Sequence, residues 1–122
     1  MIKPADALEI ARNWLEDWNA HDLDRIISHY AEEIVFISPM VVKLLDSPSG
    51  SIEGKSALRN YFDRGLTVYP ELKFKAIEIL VGVSSLVIYY RSVKDLLAAE
   101  FMEINQQGLI TKANAHYLVS LS

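Results

Sequence analysis

The chain has 122 residues, 51% of them hydrophobic and 23% charged, so it is long enough for one globular core and too short for two. Its 16 acidic and 12 basic residues give a net charge of −4, with no run of Lys and Arg, which excludes nucleic acid and anionic membranes as expected partners. Because it has no cysteine, disulfides, thiol nucleophiles and thiolate metal sites are excluded as well.

The chain carries no sign of export or of a second unit. Its first residues lack the apolar stretch of a signal peptide, and no segment approaches the roughly 20 apolar residues that span a membrane. We therefore expect a cytoplasmic protein, with residues 1–122 forming a single domain. The three histidines are scattered, unlike the converging ligands of a zinc site, and we expect no metal or other cofactor.

The first element is predicted to be an amphipathic helix from Pro4 to about Asn19. Proline suits a first helical turn, where its missing N–H costs nothing. Apolar residues then recur at helical spacing along one face: Leu8, Ala11, Leu15 and Trp18, with Trp14 beside them. This face is expected to pack on the core.

A short second helix and a strand should follow. Asp22 is placed to cap the helix by accepting a hydrogen bond from a free backbone N–H. Its predicted apolar face consists of Leu23, Ile26, Ile27 and Tyr30. The β-branched run 34–37 indicates a strand that ends at Ser38-Pro39, because proline donates no ladder hydrogen bond. Residues 46–54 are predicted to be a loop.

The remainder predicts one helix and then strands. The third helix has an apolar side and should end near Gly65; that side is Ala57, Leu58, Tyr61 and Phe62. From residue 72 the pattern indicates strands at 72–81, 83–93, 96–105 and 109–121, separated by turn residues. Helices first and an antiparallel meander afterwards predict an α+β fold, with three N-terminal helices packed on a curved antiparallel sheet.

Several segments together resemble the nuclear transport factor 2-like superfamily, in its SnoaL-like (polyketide cyclase-like) and ketosteroid isomerase-like branch. They are the Trp-rich first helix, the corner at 19–24, the segment 30–33, Ser38-Pro39, the segment 54–62 and the four final strands. The resemblance covers nearly the whole chain. It implies a cone in which helices cover the concave side of a bent sheet and enclose a pocket. Homodimerisation through the outer sheet face is also implied. The superfamily hosts many activities, so function must be argued from the pocket.

The resemblance does not bring the usual catalytic groups with it. In ketosteroid isomerases an Asp is the base and a Tyr with a protonated Asp stabilises the oxyanion. When the chain is aligned with these enzymes through the shared corner and the proline after the first strand, the position of the base falls on Ser38. The position of the Tyr falls on Trp14. Neither side chain can replace the acid or base, so that mechanism is disfavoured. In the polyketide cyclases the acid/base position on the last strand falls on Ala115, with a preceding His position on Ala113.

One carboxyl is retained, since the remaining family carboxylate position falls near Glu100. If Lys94-Asp95 is a two-residue hairpin turn, Tyr89 faces Glu100, and Arg91 lies on the same side of the sheet. These residues form either a structural ion pair or a site in which burial raises the pKa of Glu100 for acid/base catalysis. His116 alternates with Ala115 and is expected on the outer face unless a bulge reverses the order.

The predicted pocket is therefore mostly apolar and aromatic. Its expected ligand-binding residues are Trp14, Trp18, Tyr30, Ser38, Met40, Tyr61, Phe62, Tyr89, Arg91, Met102 and Tyr117, with Glu100 as the candidate catalytic residue. Such a lining favours a small hydrophobic or aromatic molecule, with the chemistry unassigned. The alternatives are an isomerase or cyclase-like enzyme that uses Glu100 and a homodimeric assembly module. The outer face of that module is expected to include Ile88, Tyr90, Phe101 and Val119.

Overall fold

A computed structural model describes residues 1–120 and contains the predicted helices and strands in order, with one further helix and one further short strand between the first strand and the last helix. The helices are α1 (Pro4–Asn19), α2 (Leu23–Ser28), α3 (Pro39–Leu45) and α4 (Lys55–Val68). The strands are β1 (Tyr30–Ile37), β2 (Ser51–Glu53), β3 (Lys75–Val81), β4 (Ser85–Arg91), β5 (Leu97–Ile104) and β6 (Ile110–Tyr117). The predicted final strand reached residue 121, which lies outside the described residues.

The strands form one curved, open sheet in the order β2-β1-β6-β5-β4-β3. β3 to β6 make the predicted antiparallel meander. β1 pairs parallel with β6, so the sheet is mixed and not wholly antiparallel. Register shifts within the β1–β6, β3–β4 and β5–β6 pairs are bulges or irregularities of the kind that bend a strand. The predicted α+β cone is confirmed. No helix within residues 1–120 combines the length and apolarity that a membrane span requires.

Helix α1 buries a stripe turned slightly from the predicted one. Its buried residues are Ala7, Ala11, Trp14 and Trp18, spaced by three or four positions as one helix face requires. Leu8 is 43% exposed, contrary to the prediction. The Trp14 ring stacks on Phe74 at 5.5 Å, and its indole N–H donates to the Tyr30 hydroxyl at 2.9 Å. The buried residues are alanines in the first half of α1 and tryptophans in the second half. The helix therefore makes its larger apolar contacts near its C-terminal end.

Three local predictions were wrong. Residues 46–54 were predicted to be a loop but include the strand β2, which pairs with β1. Tyr30 was assigned to the second helix but is the first residue of β1. Ser38-Pro39 was interpreted as a strand end alone, yet it also begins α3: the Ser38 hydroxyl accepts from the Met40 N–H at 3.1 Å, and Pro39 occupies the first helical position. A serine cap followed by proline is a recognised helix start, so the signal was present in the sequence.

The register of β4 on β5 differs by one residue from the prediction. Residues 92–96 form a loop containing a short 3₁₀ turn, Val93–Asp95, in place of a two-residue hairpin turn. Ile88 therefore faces Glu100, and Tyr89 faces Ala99. Because side chains alternate along a strand, this shift sends Tyr90 inward and Tyr89 outward.

The same shift redefines the outer face of the sheet. Ile88 and Tyr90 are fully buried and cannot belong to that face. Leu80, Val87 and Phe101 are paired across three strands and do lie on it. The homodimer expected through this face stays a prediction.

The corner between α1 and α2 holds the chain that leads into β3. The Asn19 side chain accepts from the Phe74 N–H at 2.6 Å and donates to the Phe74 carbonyl at 2.9 Å. His21 Nε2 lies 2.7 Å from the Leu72 carbonyl and therefore donates to it. These three bonds fix an alternating segment in which Leu72 and Phe74 are buried while Lys73 is exposed. We call Asn19 and His21 the corner clamp.

We predict that Asn19→Ala lowers the free energy of unfolding by about 2 kcal/mol, since two hydrogen bonds to a buried backbone segment are lost. Asn13→Ala is the matched control, because Asn13 lies on the exposed side of the same helix. Urea unfolding measured on both variants checks the difference. Equal midpoints for the two variants would contradict the role of the corner clamp.

Candidate functional site

A cavity of about 70 Å³ lies inside the cone, between the helices and the concave face of the sheet. Nine predicted site residues line it: Trp14, Trp18, Tyr30, Ser38, Met40, Tyr61, Phe62, Glu100 and Tyr117. The structure thus brings together residues from both ends of the chain. Ala115, the position of the family acid/base on the last strand, lines it too, and Ala113 is buried in the core.

Three predicted site residues lie elsewhere. Tyr89 points to the outer face because of the register shift. Arg91 is exposed, and its guanidinium donates to the Asp95 carbonyl at 3.2 Å. Met102 is fully buried in the core and does not line the cavity. The predicted cluster of Arg91, Tyr89 and Glu100 is therefore not formed.

Aromatic rings form a packed layer in the lining of the cavity. Trp18 meets Phe62 edge-on with ring centres 4.8 Å apart, and Phe74 meets Tyr90 at 4.9 Å. These distances are those of favourable aromatic pairs. Within residues 1–120, Trp18 Nε1 is the buried side-chain polar atom that has no hydrogen-bond partner. This layer therefore offers a flat apolar surface to a ligand.

Glu100 is the buried carboxyl in the cavity lining, and Tyr90 joins it to the aromatic layer. It is only 3% exposed, and its Oε1 accepts a hydrogen bond from the Tyr90 hydroxyl at 3.1 Å. Burial raises the pKa of Glu100 to about 7, and the Tyr90 hydrogen bond opposes that rise. Desolvation prevails because a single neutral donor cannot replace the water that stabilises a carboxylate. Near neutral pH the group is thus poised between its two forms.

Hydroxyl groups surround this carboxyl. Burial, followed by the charge of Glu100, raises the pKa of Tyr117 to about 12, while the hydroxyls of Ser92 and Ser38 oppose the rise. Burial likewise raises the pKa of Tyr90 well above its usual value. The tyrosines therefore stay neutral and can donate hydrogen bonds at neutral pH. Together with Glu100 they give the cavity lining a few polar groups that suit an oxygen-bearing group.

The position of Ser38 follows from the local chain path. Its N–H donates to the Gly50 carbonyl at 3.0 Å, which ties α3 to the chain entering β2. Gly50 has φ +66, and a Cβ there would lie 3.0 Å from the Ser38 carbonyl oxygen, so glycine suits this approach. Ser38 is thereby held with its hydroxyl at the cavity.

The sequence interpretation missed several lining residues, of which Tyr90, Ser92 and Phe74 matter most. Strand β4 is apolar at nearly every position, so periodicity does not indicate which side faces inward. A five-residue connection at 92–96 would have given the correct register. The bond between Phe74 and distant Asn19 has no local sequence signal.

The cavity has a mouth, defined by the lining residues that are half-buried: Met40, Leu44, Gly65, Tyr69 and Tyr117. A cavity of about 150 Å³ holds benzene in a well-studied engineered protein. A single-ring ligand therefore needs Met40 and Leu44 to move outward. Both are flexible side chains on the short helix α3, which makes this movement inexpensive.

The histidines do not contribute to the cavity. His116 is exposed on β6 and lies 3.1 Å from the Asn114 carbonyl, as the alternation predicts. His29 pairs with Asp17 at 2.7 Å, between α1 and the end of α2. Within residues 1–120, no group of three or more His, Asp or Glu side chains is arranged to hold a metal ion. Acid/base chemistry in the cavity therefore rests on Glu100 and neutral hydroxyls.

Comparisons with known proteins agree with the geometry. The profile of the SnoaL-like domain family matches residues 11–112. A SnoaL-like protein of unknown function from Burkholderia thailandensis is 40% identical, with a TM-score of 0.92, and the match covers 98% of this chain and 100% of that one. Among curated proteins, none matches the chain.

Two more distant structures share the fold. A nuclear transport factor 2-like protein of unknown function from Cytophaga hutchinsonii is 14% identical, with a TM-score of 0.72 over 92% of this chain and 89% of that one. The epoxide hydrolase/cyclase-like enzyme SalBIII, which has a role in pyran ring formation in the polyether salinomycin, is 17% identical. Its TM-score is 0.79, and the match covers 98% of this chain and 95% of that one. At these identities the likeness concerns the fold alone.

The raised pKa of Glu100 predicts a pH-dependent stability. The folded protein holds the Glu100 proton up to about pH 7, whereas the ordinary value is 4.5. The free energy of unfolding should therefore fall as the pH rises from 4.5 to 7, by about 3 kcal/mol, and level off above that range. Glu100→Gln removes this titration, so the difference between wild type and variant measures it in urea unfolding at pH 4.5, 6 and 8.

Glu103→Gln is the matched control, because Glu103 lies on the same strand with an exposed side chain. Its stability difference from wild type should stay constant over the same pH range. Parallel pH profiles for the Glu100 variant and wild type would show that the carboxyl is not the titrating group.

Proposed function

This chain belongs to the SnoaL-like domain family, and from that membership we propose that it binds a small, mostly apolar molecule inside the cone. The observation that carries the proposal is the polarity of the cavity. Most of the lining is aromatic or aliphatic, and a buried carboxyl and several hydroxyl groups lie among these apolar residues. Pockets that bind small molecules combine an apolar lining with a few placed polar groups in this way.

We expect the ligand to carry a single ring with an oxygen function on that ring. The ring is expected among Trp18, Phe62 and Phe74, with its oxygen beside Glu100 and the neighbouring hydroxyl groups. There Tyr117 and Ser38 can donate to a carbonyl oxygen, and Glu100 can donate when protonated or accept when ionised. Larger molecules are disfavoured because the cavity measures only about 70 Å³ before its mouth opens.

We predict that Ala115→Leu abolishes binding of cyclohex-2-enone and phenol without unfolding the protein. Ala115 faces Glu100 across two strands, so a larger side chain fills the cavity from the sheet side. In wild type, a probe at ten times its Kd raises the free energy of unfolding by about 1.4 kcal/mol, which shifts the Tm by several degrees. Thermal unfolding with and without each probe measures this shift.

The control is Ala99→Leu, which places the same side chain on the outer face beside Tyr89. It should keep the full ligand-induced Tm shift. If the shift survives in Ala115→Leu as well, the probes bind outside the cone and the proposal fails.

A second candidate function, proton transfer by Glu100, is favoured by the burial of this carboxyl at the cavity. A general acid or base works best with a pKa near the working pH, and burial brings the pKa of Glu100 to about 7. One carboxyl can complete an allylic isomerisation, since the proton it removes from one carbon is returned to another. Reactions that need a separate acid and base would lack a second ionised partner in this lining.

We predict that wild-type protein converts cyclohex-3-enone into its conjugated isomer and that Glu100→Gln lowers kcat by about 100-fold or more. The carboxylate takes a proton from the carbon between the carbonyl and the double bond, and the carboxylic acid then protonates the γ-carbon. The rate should rise with pH through about 7, because the ionised form starts the reaction. Ultraviolet absorbance of the enone follows it.

Serine at position 38 offers a useful comparison. Ser38→Ala removes a hydroxyl without removing the proposed base, so it should reduce the rate far less than Glu100→Gln. Equal turnover by wild type and Glu100→Gln would exclude this second function and leave the binding proposal intact.

A further inference from the structure

A second concavity adjoins the cavity and differs from the rest of the surface in charge. It lies between the end of α4, the segment leading into β3 and the loop between β4 and β5. Its cationic side chains are Lys73, Lys75, Arg91 and Lys94, and its acidic ones are Glu71 and Asp95. We call this surface the basic cleft. It has two more positive than negative groups, whereas the whole chain has a net charge of −4.

The basic cleft and the cavity share a wall. Tyr69, Leu72, Ser92 and Val93 line both spaces. Three of these are buried, while Tyr69 is half-buried and also belongs to the mouth. The mouth of the cavity therefore opens beside the basic cleft, with Tyr69 at the boundary between them.

The extended segment before β3 contributes side chains to both linings, because successive residues point to opposite sides. Leu72 and Phe74 point into the cone, and Lys73 and Lys75 are exposed in the basic cleft. The corner clamp fixes this segment through the backbone of Leu72 and Phe74. One stretch of extended chain thus contributes apolar side chains to the cavity and lysine side chains to the adjoining basic cleft.

Arg91 is also held in place. Its guanidinium donates to the Asp95 carbonyl at 3.2 Å and lies 3.6 Å from the Asp95 carboxylate. Lys73, Lys75 and Lys94 have no ion-pair partners within residues 1–120, and the first two stand on the segment that also lines the cavity. Unpaired ammonium groups beside an apolar opening attract an anion whose apolar part is buried next to it.

We propose that the ligand is an amphipathic acid, whose ring enters the cone while its anionic group stays in the basic cleft near Lys73 and Lys75. This inference rests on the proposed binding function and specifies the class of ligand. The anion belongs outside because the interior already holds the buried Glu100 carboxyl, which an ionised ligand group would meet at close range. The chain as a whole has a net charge of −4, whereas the basic cleft has an excess of positive groups, so the cleft is the more favourable of the two for an anion.

The test compares 3-phenylpropanoate with its neutral amide by isothermal titration calorimetry. The two probes differ in charge and hardly in shape. At 20 mM salt we expect wild type to bind the acid about tenfold more tightly than the amide, as two exposed charge contacts allow. Raising the salt to 500 mM should remove most of that preference, since exposed charges are screened.

The double variant Lys73→Gln/Lys75→Gln should bind acid and amide within about twofold of each other, with the affinity for the amide unchanged. The control Lys3→Gln/Lys112→Gln removes two exposed charges outside the basic cleft and should keep the tenfold preference.

The outcomes separate this inference from the proposed function. Equal binding of acid and amide by wild type overturns the amphipathic-acid inference and leaves binding in the cone intact. A preference for the acid that survives in the Lys73 and Lys75 variant also overturns it. If neither probe binds to wild type, the amphipathic-acid inference fails; binding in the cone fails with it only when cyclohex-2-enone and phenol do not bind either.

Discussion

The corner clamp is the interaction on which the site depends most. Asn19 satisfies both backbone groups of Phe74, and His21 takes the carbonyl of Leu72. These bonds join the end of α1 to the start of β3, two points far apart in sequence that have no strand ladder between them. Hydrogen bonds of this kind contribute about 1 kcal/mol each, so their value is less in stability than in setting which side of the segment faces inward. A slip of one residue there would place a lysine in the cone and a phenylalanine in water.

A second constraint is the cost of burying Glu100. An ionised carboxylate inside an apolar cone loses its hydration, and the Tyr90 hydroxyl at 3.1 Å returns only part of it. The protein avoids the larger penalty by letting the group keep its proton, which is why its pKa rises to about 7. A structural carboxyl would be stabilised by a cation or by several N–H donors. This one has a neutral donor and an adjoining cavity, an arrangement that leaves it free to exchange a proton or a hydrogen bond with a guest.

The sequence predicted the element types and the cone, because strong periodicity and capping residues are local signals. It also predicted Glu100, Ser38 and most of the aromatic lining. It failed where the outcome depends on one residue of register: Tyr89 and Tyr90 are adjacent, both aromatic, and β4 is apolar on both faces. The loop at 92–96 decides between them, with Lys94 and Asp95 at positive φ, a conformation that turn patterns rarely assign to non-glycine residues. The pairing of β1 with β6 likewise joins the two ends of the chain and has no local signature.

Cavity size connects these features. A space of about 70 Å³ gives a single ring little apolar contact before the mouth opens, and opening it displaces side chains of α3 and Tyr69. The gain from burying one ring, at about 25 cal/mol per Å², is therefore offset in part by this rearrangement. Because this cost offsets part of the gain, contacts inside the cone alone give modest affinity and select ligands mainly by their shape. Groups that reach the ligand outside the cone, where no rearrangement is needed, then carry a larger share of the binding free energy. For the proposed amphipathic acid, the small interior and the basic cleft would act as one site, formed on both sides of the segment that the corner clamp holds.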